Sequence, residues 1–510
     1  MISSKNNRSV YLTATLIILP VLVLLAACQA SPQPTASVVV TPTWTATGTT
    51  PAPTRSTQAS KTTPPPVVTA TTCLGSKCFT STPAPTVTTT PTSSLGAETA
   101  DLRGLTLQFW YIAQAGDAVG VLPALVSEFN KSNSWGIRVE ITAFDSPGLL
   151  SEQVRSTLYS GKLPDVLAGY SYQVTSWDKN AKTLVDLNAY LEDFVWGLPA
   201  EDQADFYPAF WQQVNPGKRL GIPLHRTALG LYYNQTWAKE LGYTAPPKTS
   251  LEFEQQACAA ARKNGDGTGG WMITPETSTL VGWMYAFGGS LVSPDNKGYR
   301  IDTPENLKAL TFIKGLQTQG CAWTITQLYP HVEFANRKAL FVIGSTTGLA
   351  SQAAAFQSGA TGDQWTVIPL PEETNSSVPF VSPVVIAHGP DLMITHTTPE
   401  RQLAAWLFAR WLISPEVQSR WVRADGSIPV RAATLDLLSD YAKAHPQWAS
   451  LVASLDNARA EPAYASWEII RWVISDAAAQ LFSSTFVADD IPVLLKMLEK
   501  TAAEAQVQVR

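Results

Sequence analysis

The sequence predicts an α/β fold: a mainly parallel sheet covered by helices on both faces. Three observations predict it. Residues 105–111 (LTLQFWY), 137–143 and 163–170 (LPDVLAGY) are short apolar or alternating runs with strand character. Between them, Leu122, Leu125, Val126 and Phe129, then Leu149, Leu150, Val154 and Leu158, recur at helical spacing. The same alternation restarts after Pro246 and Pro247. Strand, helix, strand, helix, strand is the signature of parallel strands joined by crossover helices.

The chain has 510 residues, too many for one small domain. It begins with an export signal. Lys5 and Arg8 precede an apolar run from Val10 to Ala27, and Leu25-Ala26-Ala27-Cys28 has the form of a lipobox. Small side chains let the backbone enter a peptidase cleft, and the Cys28 thiol takes the diacylglyceryl group. Residues 1–27 therefore read as a signal peptide. Cys28 reads as the lipidation site that anchors the protein to the outer face of the cell membrane. The competing reading is an uncleaved transmembrane anchor, since the run is nearly long enough to span a bilayer.

Residues 28–100 are Thr, Pro, Ser, Ala and Val with four charges, Arg55, Lys61, Lys77 and Glu98. That composition offers no packed core, so a disordered, lipid-anchored linker is expected, with a reach of about 50 Å as a coil. Within it, Cys73 and Cys78 are spaced to close a small disulfide loop. A metal site there lacks a nearby histidine to complete the coordination sphere.

The folded part is expected from residue 103. After the third strand, residues 221–234 (GIPLHRTALGLYYN) are extended and apolar and lead into a helix from Gln235. A helix containing Cys258 precedes a Gly-rich loop and a strand beginning at Trp271. Thr303-Pro304-Glu305 has the form of a helix start. Residues 339–343 form a buried strand ending at Gly344-Ser345-Thr346, residues 365–370 form another, and the chain beyond Pro399 is largely helical. Trp406 and Trp411 share helical spacing with Leu403 and Leu407 and belong to the core.

Composition narrows the partners. The net charge is −5 with no basic patch, which speaks against nucleic acid. Charged residues are only 15%, and 16 of the 17 tryptophans lie beyond residue 100. A Trp-rich, weakly charged surface suits a ligand with flat, weakly polar faces, such as a sugar. Core packing is the competing use of each tryptophan.

In this order the motifs resemble the extracellular solute-binding proteins of ATP-driven (ABC) importers, of the maltose-binding type. Leu163-Pro164-Asp165-Val166 followed by Tyr170 resembles the family's third strand and ligand loop. Residues 221–234 resemble its first interlobe crossing, and residues 379–390 (PFVSPVVIAHGP) its return crossing. Residues 399–416 resemble the helices that follow. Glu461-Pro462, Trp467 and Arg471 resemble the helix that presents an aromatic to the ligand. The resemblance covers about residues 103–505. In one departure, Ser171-Tyr172-Gln173 stands where the maltose binder has acidic residues, so no particular sugar is implied. The resemblance implies a periplasmic-binding-protein fold of type II, with two α/β lobes joined by hinge crossings around a cleft. Lobe one would be 103–224 plus 387–432, and lobe two 232–380 plus 436–510.

A sugar site needs aromatic planes for C–H faces and polar groups for hydroxyls. Ligands bind beyond the carboxyl ends of parallel strands. Candidates in lobe one are Trp110, Tyr111 and Tyr170, with His225 and Arg226 beside the first crossing. In lobe two they are Trp271, Trp283, Ser345, Thr346 and Trp467. Gly288, Gly289 and Gly344 would let backbone amides approach the ligand. Arg226 can fork two hydroxyls, or equally a phosphate or carboxylate, so a glycerol phosphate or another anionic polyol is an alternative ligand. It can also form an interlobe salt bridge. Cys258 and Cys321 are expected to form a disulfide, the alternative being two buried thiols.

Other signals fail on their own terms. Residues 265–270 match GxGxxG, but a helix precedes them and a strand follows, the reverse of a dinucleotide site. The calcium-loop reading around Asp266 fails because Pro275 stands at the twelfth position. No metal or cofactor is expected. The function expected is a monomeric receptor that hands a sugar to an ABC permease. A lipoprotein glycosidase would need paired carboxylates, for which Asp165, Asp186 and Glu461 are available. A stalk-borne sensor or adhesion module is the third possibility.

Overall fold

The computed structural model describes residues 70–74, 77–81, 92–113, 120–158, 160–211, 217–325, 330–359, 361–374 and 384–508. The signal segment, Cys28 and most of the linker lie outside the described residues. The chain divides into two units, residues 1–87 and 88–510. In the first, Ala70–Leu74 and Lys77–Ser81 pair as an antiparallel hairpin with Cys73 opposite Cys78. Their side chains, and so the sulfur pairing expected there, lie outside what is described.

In the second unit order begins earlier than residue 103. The Ser93 hydroxyl and the Ser94 amide donate to Asp193, and Ala97 and Leu102 are buried in the core of the first lobe. Composition alone had assigned Ser93, Ser94 and Ala97 to the linker. A carboxylate about a hundred residues away and two small apolar side chains hold them.

The first lobe starts with β1 (Thr106–Ile112), β2 (Arg138–Phe144) and β3 (Val166–Tyr170), all parallel. Helices Val121–Ser132 and Pro147–Thr157 make the crossovers. Successive side chains of β1 point to opposite faces. Leu107 and Phe109 join one core with Phe129, Trp406 and Phe408, while Trp110 and Ile112 pack on the other with Leu150 and Trp177. Asp165, one of the carboxylates available to a glycosidase reading, receives the Gln108 amide and a two-pronged guanidinium from Arg401. It ties β1 to the helix Pro399–Leu412.

The chain then passes between lobes from β4 (Ile222–Pro223) to β5 (Thr227–Asn234). The second lobe adds β6 (Gly269–Ile273), β7 (Ala322–Thr324), β8 (Ala339–Ser345), β9 (Trp365–Ile368) and β10 (Val385–His388). The return crossing is Gly389, followed by β11 (Pro390–Ile394) in the first lobe. A Cβ on Gly389 would collide with the His225 carbonyl oxygen, so only glycine lets the two crossings lie this close. A last strand, β12 (Ala458–Ala460), returns to the second lobe.

Two sheets result. One has the order β2-β1-β3-β11-β4, with β11 antiparallel to both neighbours. The other has the order β12-β10-β5-β8-β6-β7, with β9 also on β5. Each sheet lies against its own hydrophobic core. The helix starts follow from sequence. Thr303 caps the helix Pro304–Thr318 through the Asn306 amide, and Asn234 caps Gln235–Glu240 through the Trp237 amide. Cys258, on the helix Ser250–Asn264, and Cys321, just before β7, form a disulfide with Cα atoms 4.3 Å apart. Among the described residues, no helix is long and apolar enough to cross a membrane.

Candidate ligand-binding site

A cavity of about 210 Å³ opens between the lobes, lined from both sides and floored by the crossings. The first-lobe wall begins where β3 ends. Tyr170 stands at that end and Tyr172 opens the next helix; their rings stack with centroids 5.6 Å apart and planes 6° apart. The Tyr170 amide donates to Gln173 Oε1, which fixes the turn that presents the pair. Burial, followed by the charges of Tyr170 and Glu468, raises the Tyr172 hydroxyl above its ordinary range, so it stays protonated. Tyr285, Asn296 and Tyr464 face from the second lobe.

The floor is charged. Arg226 on the first crossing donates to the carboxylate of Asp391, just after the second, and to the Pro390 carbonyl at 2.7 Å. Asp391 also accepts from the Ser171 hydroxyl at 2.8 Å. In the second lobe, Glu461 receives Arg471 through two bonds of 2.7 and 3.0 Å, and Trp467 Nε1 at 2.9 Å. Burial opposes ionisation of Glu461, but the Arg471 charge and hydrogen bonds outweigh it and hold the carboxyl below the usual range. His388 also lines the cavity; its Nδ1 is buried and has no partner among the described residues. Burial lowers its pKa, so the ring is neutral and offers one acceptor or donor.

The lobes touch in this conformation. Thr175 Oγ1 of the first lobe donates to the Ala463 carbonyl of the second at 2.9 Å, and Tyr172 packs into the second-lobe core. The structure is thus held at least part-way closed.

Of the residues chosen from sequence, Tyr170 and Arg226 line the cavity. The others stand elsewhere, each for a physical reason. Trp110 packs on Phe144 because its side of β1 faces a buried helix layer. Tyr111 lies against the opposite core beside Phe109. His225 stacks on Trp421, 4.8 Å away, and burial lowers its pKa to about 3. Trp271 and Trp283 are fully buried with Phe253 in the second-lobe core. Trp467 is fully buried as well and serves the cavity only through Glu461. Ser345 caps a short turn at Gly348, and Thr346 receives the Ala228 amide. Gly289 and Gly344 are required by packing, since a Cβ would strike Asn306 and the Tyr232 ring respectively. Asp266, in the former calcium reading, pairs with Lys338. Sequence reasoning missed Ser171, Tyr285, His388, Asp391 and Tyr464. Tyr464 carried a signal: an aromatic between Pro462 and a helix start.

Two α/β lobes, joined by paired crossings and closing on a polar, aromatic cleft, define a solute-binding protein of the type II fold. Residues 124–450 match the family model of the bacterial extracellular solute-binding proteins, and the chain belongs to that family. It is similar to a probable ABC transporter-binding protein of Deinococcus radiodurans, 26% identical over 301 residues, which cover 54% of this chain and 70% of the relative. In fold it is similar to the sugar-binding protein MalE of Xanthomonas citri, with a TM-score of 0.68 and 22% identity over 79% of this chain and 98% of the other. It is also similar in fold to the cyclic alpha-maltosyl-1,6-maltose binding protein of Arthrobacter globiformis, with a TM-score of 0.66 and 19% identity over 79% and 99%.

Proposed function

We propose that this chain is the substrate-binding lipoprotein of an ABC importer, capturing a carbohydrate outside the membrane and delivering it to a permease. The observation that carries the reading is the stacked Tyr170–Tyr172 pair on one wall of a cleft whose floor is the pair of crossings. Aromatic planes cover sugar faces, and Ser171, Asn296 and His388 Nδ1, which has no partner among the described residues, supply hydroxyl partners. The sugar-binding names of its fold neighbours support the same ligand class. The ligand must favour the closed arrangement over the open one, since only that difference signals loading to a permease.

Binding is favoured over catalysis by the state of the acids. Asp391 and Glu461, the two carboxylates that line the cleft among the described residues, are each engaged by a guanidinium. A glycosidase acid must instead be free to give up a proton. The test is a thermal-shift screen of sugars, polyols and amino acids with chromatography of the incubated sugars. Stabilisation by sugars without new products is expected; stabilisation by amino acids alone, or the appearance of products, would overturn the reading. The anchor is tested separately: Cys28→Ser should release a protein that binds ligand as before, and retention of that variant in the membrane fraction would refute lipidation.

A further inference from the structure

We propose that the solute held in this cleft carries an anionic group, a carboxylate or a phosphate on a saccharide or polyol frame, and that Lys218 and Arg219 are its counter-charges. The inference rests on the reading of the cavity as the solute site and names its ligand more narrowly.

The argument is one of charge matching. Among the described residues, five charged side chains line the cavity: Lys218, Arg219, Arg226, Asp391 and Glu461. Arg226 is taken up by Asp391, and Glu461 by Arg471. The remaining two are both cations. Among the described residues, neither Lys218 nor Arg219 bonds a carboxylate through its side chain. The Arg219 amide donates to Asp186, but its guanidinium lies over the Trp211 ring at 3.7 Å and, among the described residues, donates only to the Trp211 carbonyl. Asp391 and Asp186 act on Arg219 at a distance only; the oxygens of Asp391 are engaged by Arg226 and Ser171, and Oδ1 of Asp186 by two backbone amides.

Arg219 is 6% exposed, and burial weakens its hold on the proton. A buried cation without a bonded counter-ion is costly, and closing the lobes over a neutral sugar would remove still more water from it. A negative group on the ligand offsets that cost in the closed state alone, which is where a receptor needs its affinity. The aromatic ring beneath the guanidinium holds it in one orientation, so little entropy is lost on binding. Lys218 is exposed at the edge of the cavity, where a cation draws in anions. The whole chain carries −5, so this surplus of positive charge is local to the cleft.

The assignment also moves the anion contact away from Arg226, the residue sequence alone suggested. That guanidinium has its carboxylate already.

The experiment is calorimetric titration of the full-length chain with matched probes: galacturonate against galactose, and glycerol 3-phosphate against glycerol. In at least one pair the charged member is expected to bind about fivefold tighter or more, with the advantage shrinking as salt rises. Lys218→Gln should reduce that charged-over-neutral ratio by about fivefold, and its thermal midpoint in the absence of ligand checks its fold. Preference for galacturonate assigns a carboxylate, and preference for glycerol 3-phosphate a phosphate. Equal or tighter binding of the neutral members overturns the proposal and leaves the carbohydrate receptor standing. Binding of neither kind, with amino acids stabilising the chain instead, overturns both.

Discussion

Arg226 and Asp391 stand on opposite passes of the chain between the lobes, and their side chains are bound to each other. Both are largely buried. The contact joins the two crossings at their closest approach, next to Gly389, so the axis of any hinge motion runs beside an ion pair.

Removing one partner leaves the other charged and buried. Asp391→Ala is expected to destabilise the protein by about 3–5 kcal/mol, read as a lower denaturation midpoint. The double variant Arg226→Met with Asp391→Leu should recover most of that loss, because a well-packed apolar pair replaces the ions. If the double variant is no better than the single one, the pair does more than balance charge.

The bond from Thr175 to the Ala463 carbonyl spans the cleft mouth and exists only while the lobes touch there. Thr175→Val keeps the shape and removes the donor. A bond of this kind contributes about 1 kcal/mol, so the open form should gain about fivefold in population. Small-angle scattering of the ligand-free protein should then give a larger radius of gyration for the variant. An unchanged radius would mean that Tyr172 packing alone sets the posture.

The strand–helix order of the first lobe was legible because its two periods differ: β2 alternates while Val121–Ser132 repeats at helical spacing. Tyr170 was legible as well, since a strand that ends in a small residue and an aromatic is a local pattern. The tryptophans were not. Trp271 lies within β6, whose residues are all buried, and an aromatic there looks in sequence like one that faces a ligand. Trp467 opens its helix at the expected place, yet it turns inward because Glu461 offers its indole an acceptor. Asp391 and Glu461 depend on partners 165 and 10 residues away. Long-range pairings of this sort leave no periodic trace.

Stability should fall with acid in two stages. Burial first, then the Arg226 charge, holds His225 at about 3, against an ordinary value near 6.5. A depressed folded pKa gives stability that is complete above about 6.5 and is lost as pH falls toward 3. The Glu461 carboxyl, also depressed, adds a loss below the ordinary carboxylate range of about 4.3. Glu461→Gln should be less stable than the parent at pH 7, with the gap closing as pH falls toward 3. Denaturation midpoints at successive pH values check this, and a constant gap would show that Glu461 is not held ionised by Arg471.

Tyr170→Ala and Trp271→Ala should separate site from core. Tyr170 faces the cavity and stacks on Tyr172, so its loss should weaken ligand binding about tenfold or more with a modest effect on folding. Trp271 is fully buried among Phe253, Trp283 and Phe482, so its loss should cost about 3–5 kcal/mol of stability. Affinity in the folded fraction should stay near the parent value. Paired titration and unfolding curves would expose an exchange of these roles.

The disulfide joins residues 63 apart, and the loop it closes holds β6, the helix Thr277–Ala286 and the helix Pro304–Thr318. A loop of that length contributes roughly 4 kcal/mol in the chain-entropy model. All three elements belong to the second lobe, so the double variant Cys258→Ala with Cys321→Ala should lower the unfolding of that lobe and leave the first near its original temperature. Calorimetry should show one transition moving down or two where there was one. Tyr285 and Asn296, which line the cavity, lie inside the same loop. If the bond acts only on stability, affinity well below the new midpoint should match the parent and collapse as that midpoint nears. Weaker binding already at low temperature would mean that the bond also positions the second-lobe wall of the cleft.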